Sequence, residues 1–138
     1  MFDPDKTAHA QQSLYQRLGG YDALAAFVSE LMPRLRRDAK IGVYWKGKSL
    51  DGQHREDKLL VDFLGSAFGG PVFYPGRDMK TSHVGLAITE EEWDITLAHI
   101  AATLDTLAVA LPEKTEFLEA AASLKWDVVE PSRPAAVG

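Results

Sequence analysis

Apolar residues recur at three- and four-residue steps along most of the chain. Leu24, Phe27, Val28, Leu31 and Leu35 make one such face and predict a helix from about Tyr21 to Arg37. Pro33 falls inside this pattern, where it removes a backbone donor and predicts a kink. Leu59, Leu60, Phe63, Leu64, Ala67 and Phe68 make a second face and predict a helix over 54–68. Gly69-Gly70-Pro71 stops it, because glycine accepts a left-handed cap and proline cannot continue a helix. Trp93, Leu97, Ile100, Leu104, Leu107 and Leu111 mark the longest helix, over 93–111. Thr89 and Glu92 stand at capping-box spacing before it, and Glu90 and Glu91 suit the positive end of its dipole. Pro112 ends that helix or opens the last one, which carries Phe117, Leu118, Ala121, Ala122 and Leu124. Leu14 and Leu18 predict a short helix before the Gly19-Gly20 turn.

No convincing strand interrupts this series, and the pattern alone predicts an all-α bundle. The large rings of Ile41-Gly42-Val43-Tyr44-Trp45 are expected to pack inward, and Gly47 to Gln53 reads as a loop. The stripes over 54–68 and 93–111 hold more leucine and aromatic side chains than two packed helices need. A stripe of this kind is more often plain core than the wall of a cofactor pocket. Composition sets the domain at 13–128, with flexible segments at 1–12 and 129–138, the second rich in Pro, Ala and Ser.

A chain of 138 residues makes one domain with room for a real core. Its formal net charge of −5 disfavours general nucleic-acid binding. It has no cysteine, which excludes disulfides, thiolate chemistry, Cys-ligated zinc and thioether attachment of a cofactor. No apolar run reaches membrane-spanning length and no signal-peptide core is visible, so the expectation is no membrane and a cytoplasmic location. Arg34, Arg36, Arg37, Lys40, Lys46 and Lys48 crowd one stretch with Asp38 as its one acid. Such a cluster is usually a solvated face, and otherwise a docking patch for an anion or acidic partner.

HExxH, Walker and GxGxxG motifs are missing, and no nucleophilic triad is suggested. The histidines are His9, His54, His83 and His99. His9 lies in the N-terminal segment, and His99 sits half-exposed beside the longest stripe. His54, near a helix start, is a solvated residue or a second metal ligand. His83 follows a turn and precedes a strong helix start. An imidazole so placed can hold a metal through one ring nitrogen while a carbonyl orients the other. Taken alone, a histidine near a helix start is ordinarily a surface or half-buried residue.

Three stretches change that reading when taken in order. Leu14-Tyr15-Gln16-Arg17-Leu18-Gly19-Gly20 comes first, then Phe63-Leu64-Gly65-Ser66-Ala67-Phe68-Gly69-Gly70-Pro71. Tyr74, Gly76-Arg77, Met79 and His83 close the series. Together they resemble the truncated (2-over-2) haemoglobins, group I, from about Leu14 to Leu124. The resemblance implies a 2-over-2 helical sandwich around one haem b, with its iron on His83. It places Met32, Trp45, Leu59, Leu60, Phe63, Tyr74, Arg77, Met79, Lys80, Ile88 and Trp93 around the haem. Arg77 and Lys80 either pair with the propionates or face water.

The implied function is reversible binding of oxygen, nitric oxide or carbon monoxide. Nitric-oxide dioxygenation, weak peroxidase activity and a reductase partner belong to the same implication. The alternative is a globin-like sensor or interaction domain without haem. This chain departs from the family on the gas-binding side. Met32 stands where a distal tyrosine is common, Trp45 where a phenylalanine packs, and Leu59 and Leu60 where polar side chains often sit. Tyr44, Trp45 and His54 are left as hydrogen-bond donors there. These departures weaken a dioxygenase role that depends on distal hydrogen bonds. Sequence does not give the oligomeric state.

Overall fold

The computed structural model describes residues 12–130. The segments 1–11 and 131–138, and with them His9 and most of the expected flexible ends, lie outside those residues. Along the described residues run α1 (Leu14–Leu18), α2 (Gly20–Arg37), a 3-10 helix (Gly42–Trp45), α3 (Leu50–Ala67), α4 (Met79–His83), α5 (Glu90–Thr106), α6 (Leu111–Ala122) and α7 (Lys125–Val128). No strand occurs among them. The all-α expectation stands.

Helix ends moved where local chemistry overrode the apolar pattern. α3 starts at Leu50 rather than His54, because Ser49 caps it by accepting the Gly52 N–H at 3.0 Å. Gly52 had made this turn read as loop. α5 stops at Thr106, short of the expected Leu111. Ala108 turns left-handed there (φ 56°), and the Val109 N–H folds back to the Leu104 carbonyl at 3.0 Å. Leu111 therefore leaves the stripe, is 73% exposed and begins α6, with Pro112 in the first turn where a missing N–H costs nothing. α2 runs unbroken through Pro33. The carbonyl deprived of its donor belongs to Ser29, an exposed position that water can serve.

The helices pair two by two. α2 packs on α3, α5 packs on α6, and the pairs meet where α2 lies on α5. α1 closes one end against α2 and α6. The main core joins Leu24, Phe27, Leu31 and Met32 of α2 to Val61 and Leu64 of α3, Ile100 and Leu104 of α5, and Phe117 of α6. The Phe117 ring lies 4.7 Å from Phe27 and 4.8 Å from Phe68, centroid to centroid.

A second, smaller core gathers Trp93, Val128 and Val129, with Met79, Ile88, Leu97 and Leu124 against them. It fastens α4 to α7, the main packing partner of α4. Packing continues past residue 128: Val129 is 2% exposed and Glu130 is hydrogen-bonded to the segment after α4. Among the described residues no helix is long and apolar enough to cross a membrane.

Candidate functional site

α4 is a single helical turn held at both ends. Asp78 caps its start by accepting the Thr81 N–H at 2.7 Å, and the Val84 N–H closes its end on the Lys80 carbonyl at 2.9 Å. The stretch before it is bent back on itself. The Tyr74 hydroxyl donates to the Arg77 carbonyl, and the ring lies against Gly76, where any Cβ would collide with it. A larger residue there would have to displace the Tyr74 ring. Tyr74 also meets Phe63 of α3 edge-on at 5.4 Å, which ties the segment before α4 to α3.

His83 is half-buried on this turn, and its Nδ1 lies 2.8 Å from the Met79 carbonyl. A carbonyl only accepts, so Nδ1 carries a proton, and in the neutral ring Nε2 carries the lone pair. That tautomer is the one a metal ligand requires, and its orientation is fixed by the helix's own backbone. Among the described residues no three His, Cys, Asp or Glu side chains converge to hold a metal ion. A metal on His83 would therefore need most of its ligands from outside the protein, as the four nitrogens of a porphyrin supply. Haem fits this donor set.

Most of the apolar residues predicted for the pocket fall in two packed clusters. Met32 is buried in the main core, and Trp45, Leu60 and Phe63 are half-buried against it, with Leu59 half-buried beside them on α3. Trp93 is buried in the second core, and Met79 and Ile88 are half-buried against it. Arg77 and Lys80 are exposed. Val84 and Leu86, just past His83, leave 68% and 43% of their surface uncovered. Apolar side chains left open beside a correctly prepared imidazole suit a flat, mostly apolar group.

The structure also sorts the donors on the far side. His54 lies in the second turn of α3, not in a loop, and is exposed. Tyr44 has its hydroxyl committed, donating to Glu92 Oε1 at 2.8 Å. Burial, then the bond to Glu92, pushes the Tyr44 phenol up to about 12. Glu92 is raised by burial, but bonds from the Thr89 N–H, Tyr44 and the Thr89 hydroxyl outweigh this and hold it below its usual range. The predicted capping box is thus present, with Glu92 accepting from the Thr89 N–H at 2.9 Å and Thr89 from the Glu92 N–H at 3.1 Å. The same carboxylate pins the 3-10 helix to the start of α5. The sequence carried no signal for that cross-link, since Tyr44 and Glu92 are far apart in the chain.

The basic cluster is mostly spoken for. Arg34 bonds Thr106, Arg36 bonds Asp57 at 2.5 Å, Lys40 pairs with Glu91 and Lys48 with Glu56. Asp38 serves the fold, lying 2.8 Å from His99 Nε2 on α5. This is the solvated-face reading of the cluster, with ion pairs added. A cavity of about 240 Å³ lies elsewhere, between α1, α2, α5 and α6. Leu18, Leu24, Phe27, Leu107 and Val109 are among its walls, and no predicted site residue is.

Comparison with known proteins gives the family and the fold. Residues 13–130 match the family described as Bacterial-like globin. The chain is similar to the group 1 truncated hemoglobin of Tetrahymena pyriformis, 31% identical over 98 residues, 71% of this chain and 78% of that one. It is 31% identical over 116 residues to the group 1 truncated hemoglobin GlbN of Mycolicibacterium paratuberculosis, 84% of this chain and 83% of that one. The crystal structure of the Tetrahymena pyriformis protein in its Fe(III) form superposes with a TM-score of 0.78 at 27% identity, covering 86% of this chain and 98% of that one. The fold is that of the 2/2 hemoglobins, as the paired helices had indicated.

Proposed function

We propose that this chain, which belongs to the bacterial-like globin family and within it to the group 1 truncated haemoglobins, holds one haem b through His83 and reversibly binds a diatomic gas. The family implies the haem and a diatomic ligand; the residue roles are those the resemblance implies, and the His83 geometry supports the central one. The observation that carries the reading is the His83 imidazole, with Nδ1 donating to the Met79 carbonyl and the Nε2 lone pair left for iron. Bound there, haem supplies an iron with one further position for a gas.

The protein's part is to hold, orient and exclude. Met79, Ile88 and Trp93 back the histidine side with an apolar wall. In this reading Met32, Trp45, Leu59, Leu60 and Phe63 would line the opposite face; all but Leu59 belong to or pack on the main core, and Tyr74 meets Phe63 at its edge. Arg77 and Lys80, exposed on the same segment, are placed to meet the propionates in water, where such pairs contribute little energy but fix orientation. The far face is apolar where polar groups would retain a reactive oxygen species. Simple gas binding is thus better supported than a dioxygenase cycle.

The test is His83→Ala. Purified wild type should carry a strong Soret band at one haem per chain. The variant should purify with far less haem, or take it up only when imidazole is supplied. Full occupancy with an unchanged ferrous spectrum would place the ligand elsewhere. A wild-type chain that takes up no added haemin would leave the sensor or interaction-domain alternative.

A further inference from the structure

The turn that follows His83 is strained, and one distant side chain holds it. Gly85 has φ 84° and Ala87 has φ 55°, so two residues within three are left-handed. Glycine adopts this without penalty, but alanine does not, and such a conformation persists only where its surroundings impose it. Here Glu130 imposes it. Its Oε1 accepts the Gly85 N–H at 2.8 Å and the Ala87 N–H at 3.3 Å. Its own backbone N–H donates to the Ile88 carbonyl at 3.1 Å. One residue thus grips both ends of the turn, and a carboxylate is the stronger kind of acceptor for the two N–H groups.

The grip reaches His83 by two routes. Through the backbone, the turn begins two residues after His83, whose carbonyl accepts the Leu86 N–H at 3.2 Å. Through packing, the neighbouring Val128 and Val129 are buried in the second core, where Met79 and Ile88 lie against them. Met79 is the residue whose carbonyl orients the His83 imidazole. Lys125, at the start of α7, pairs with Glu90 at 2.8 Å and anchors the same segment to α5.

We infer that Glu130 is a positioning residue for the proximal imidazole: by clamping the 85–88 turn it sets the tilt and travel of His83 toward bound iron. The inference rests on His83 being the haem ligand. It concerns a residue that no sequence motif singled out, 47 positions further along.

The test uses haem-loaded protein and compares wild type, Glu130→Gln and Glu130→Ala. The readouts are the iron–histidine stretching band in resonance Raman of the ferrous, gas-free form, haem transfer to an acceptor apoglobin, and the urea midpoint. Glu130→Ala should shift or broaden the iron–histidine band and speed haem transfer about tenfold, the scale of one lost charge-assisted hydrogen bond. Glu130→Gln keeps an acceptor oxygen and should stay close to wild type in band position. If the alanine variant does not fold, Glu130→Asp replaces it; one methylene shorter, it withdraws the carboxylate from both N–H groups and should shift the band in the same direction. A band unchanged in position and width overturns the inference, even if the urea midpoint falls, since that would be a stability effect alone. Wild type without haem would instead remove the proposed function on which the inference stands.

Discussion

On the face proposed to bind gas, single residues decide how a ligand would be treated. A polar diatomic such as oxygen gains from a hydrogen-bond donor close to it, whereas carbon monoxide gains much less. One neutral hydrogen bond contributes about 0.5–1.5 kcal/mol net, which corresponds to about a tenfold change in off-rate at its upper end. Met32, Leu59 and Leu60 offer no donor. Tyr44 spends its hydroxyl on Glu92, and His54 is exposed on α3. Of the three donors counted in the sequence, Trp45 alone keeps a half-buried position without such a commitment. We expect fast oxygen release and a high preference for carbon monoxide. Stopped-flow oxygen dissociation checks this. Trp45→Phe should leave the rate nearly unchanged, and Met32→Tyr should slow it about tenfold. A slow wild-type rate that Trp45→Phe raises about tenfold would make Trp45 the donor and end the apolar-face reading. The candidates for this site were legible beforehand only through the resemblance that the stretches around the glycine turns and His83 carry. The commitment of Tyr44 was not, since a bond between distant residues depends on how the helices cross.

Elements in this fold are joined by polar staples as well as by their apolar faces. The clearest connects the end of α2 to the middle of α5. Asp38 accepts from His99 Nε2 at 2.8 Å and from the N–H groups of Lys40 and Ile41 at 2.8 and 3.1 Å. The bond from His99, then those from Ile41 and Lys40, holds the Asp38 carboxyl down at about 2, against an ordinary 3.8. A carboxyl depressed in the folded state favours folding above its unfolded pKa, and that contribution is lost as pH falls through the folded one. The stability advantage of wild type over Asp38→Asn should therefore be full above pH 3.8 and shrink as pH drops toward about 2. Urea midpoints of both proteins across that window measure it. An advantage that stays constant would show that Asp38 acts only by shape. The periodicity of α2 and α5 was plain in the sequence, but their ends were set by chemistry that periodicity does not register. Ser49 extends α3 backward through a glycine, and left-handed Ala108 ends α5 short of its last leucine.

At the scale of the whole molecule, the two helix pairs depend on one aromatic junction. Phe117 of α6 is 2% exposed and touches both Phe27 of α2 and Phe68 at the end of α3. Truncating it leaves a cavity where three elements meet. Phe117→Ala should cost about 3–5 kcal/mol in urea unfolding at fixed haem occupancy, with the haem spectrum of the folded fraction unchanged. A loss below about 1 kcal/mol would mean that the neighbouring helices collapse into the gap. The all-α class could be read from the apolar stripes and short connections, and the pairing of helices only from the resemblance. The second core could not, because it recruits the Pro-flanked end of the chain, where composition argues for a loose tail. That recruitment has a consequence for biosynthesis. The clamp on the turn after His83 is the side chain of Glu130, and Val129 beside it is sealed into the second core. A ribosome delivers His83 well before either. Until they emerge, the nascent chain carries its imidazole on an unsecured turn, so stable capture of the proposed haem should wait until both residues have been made.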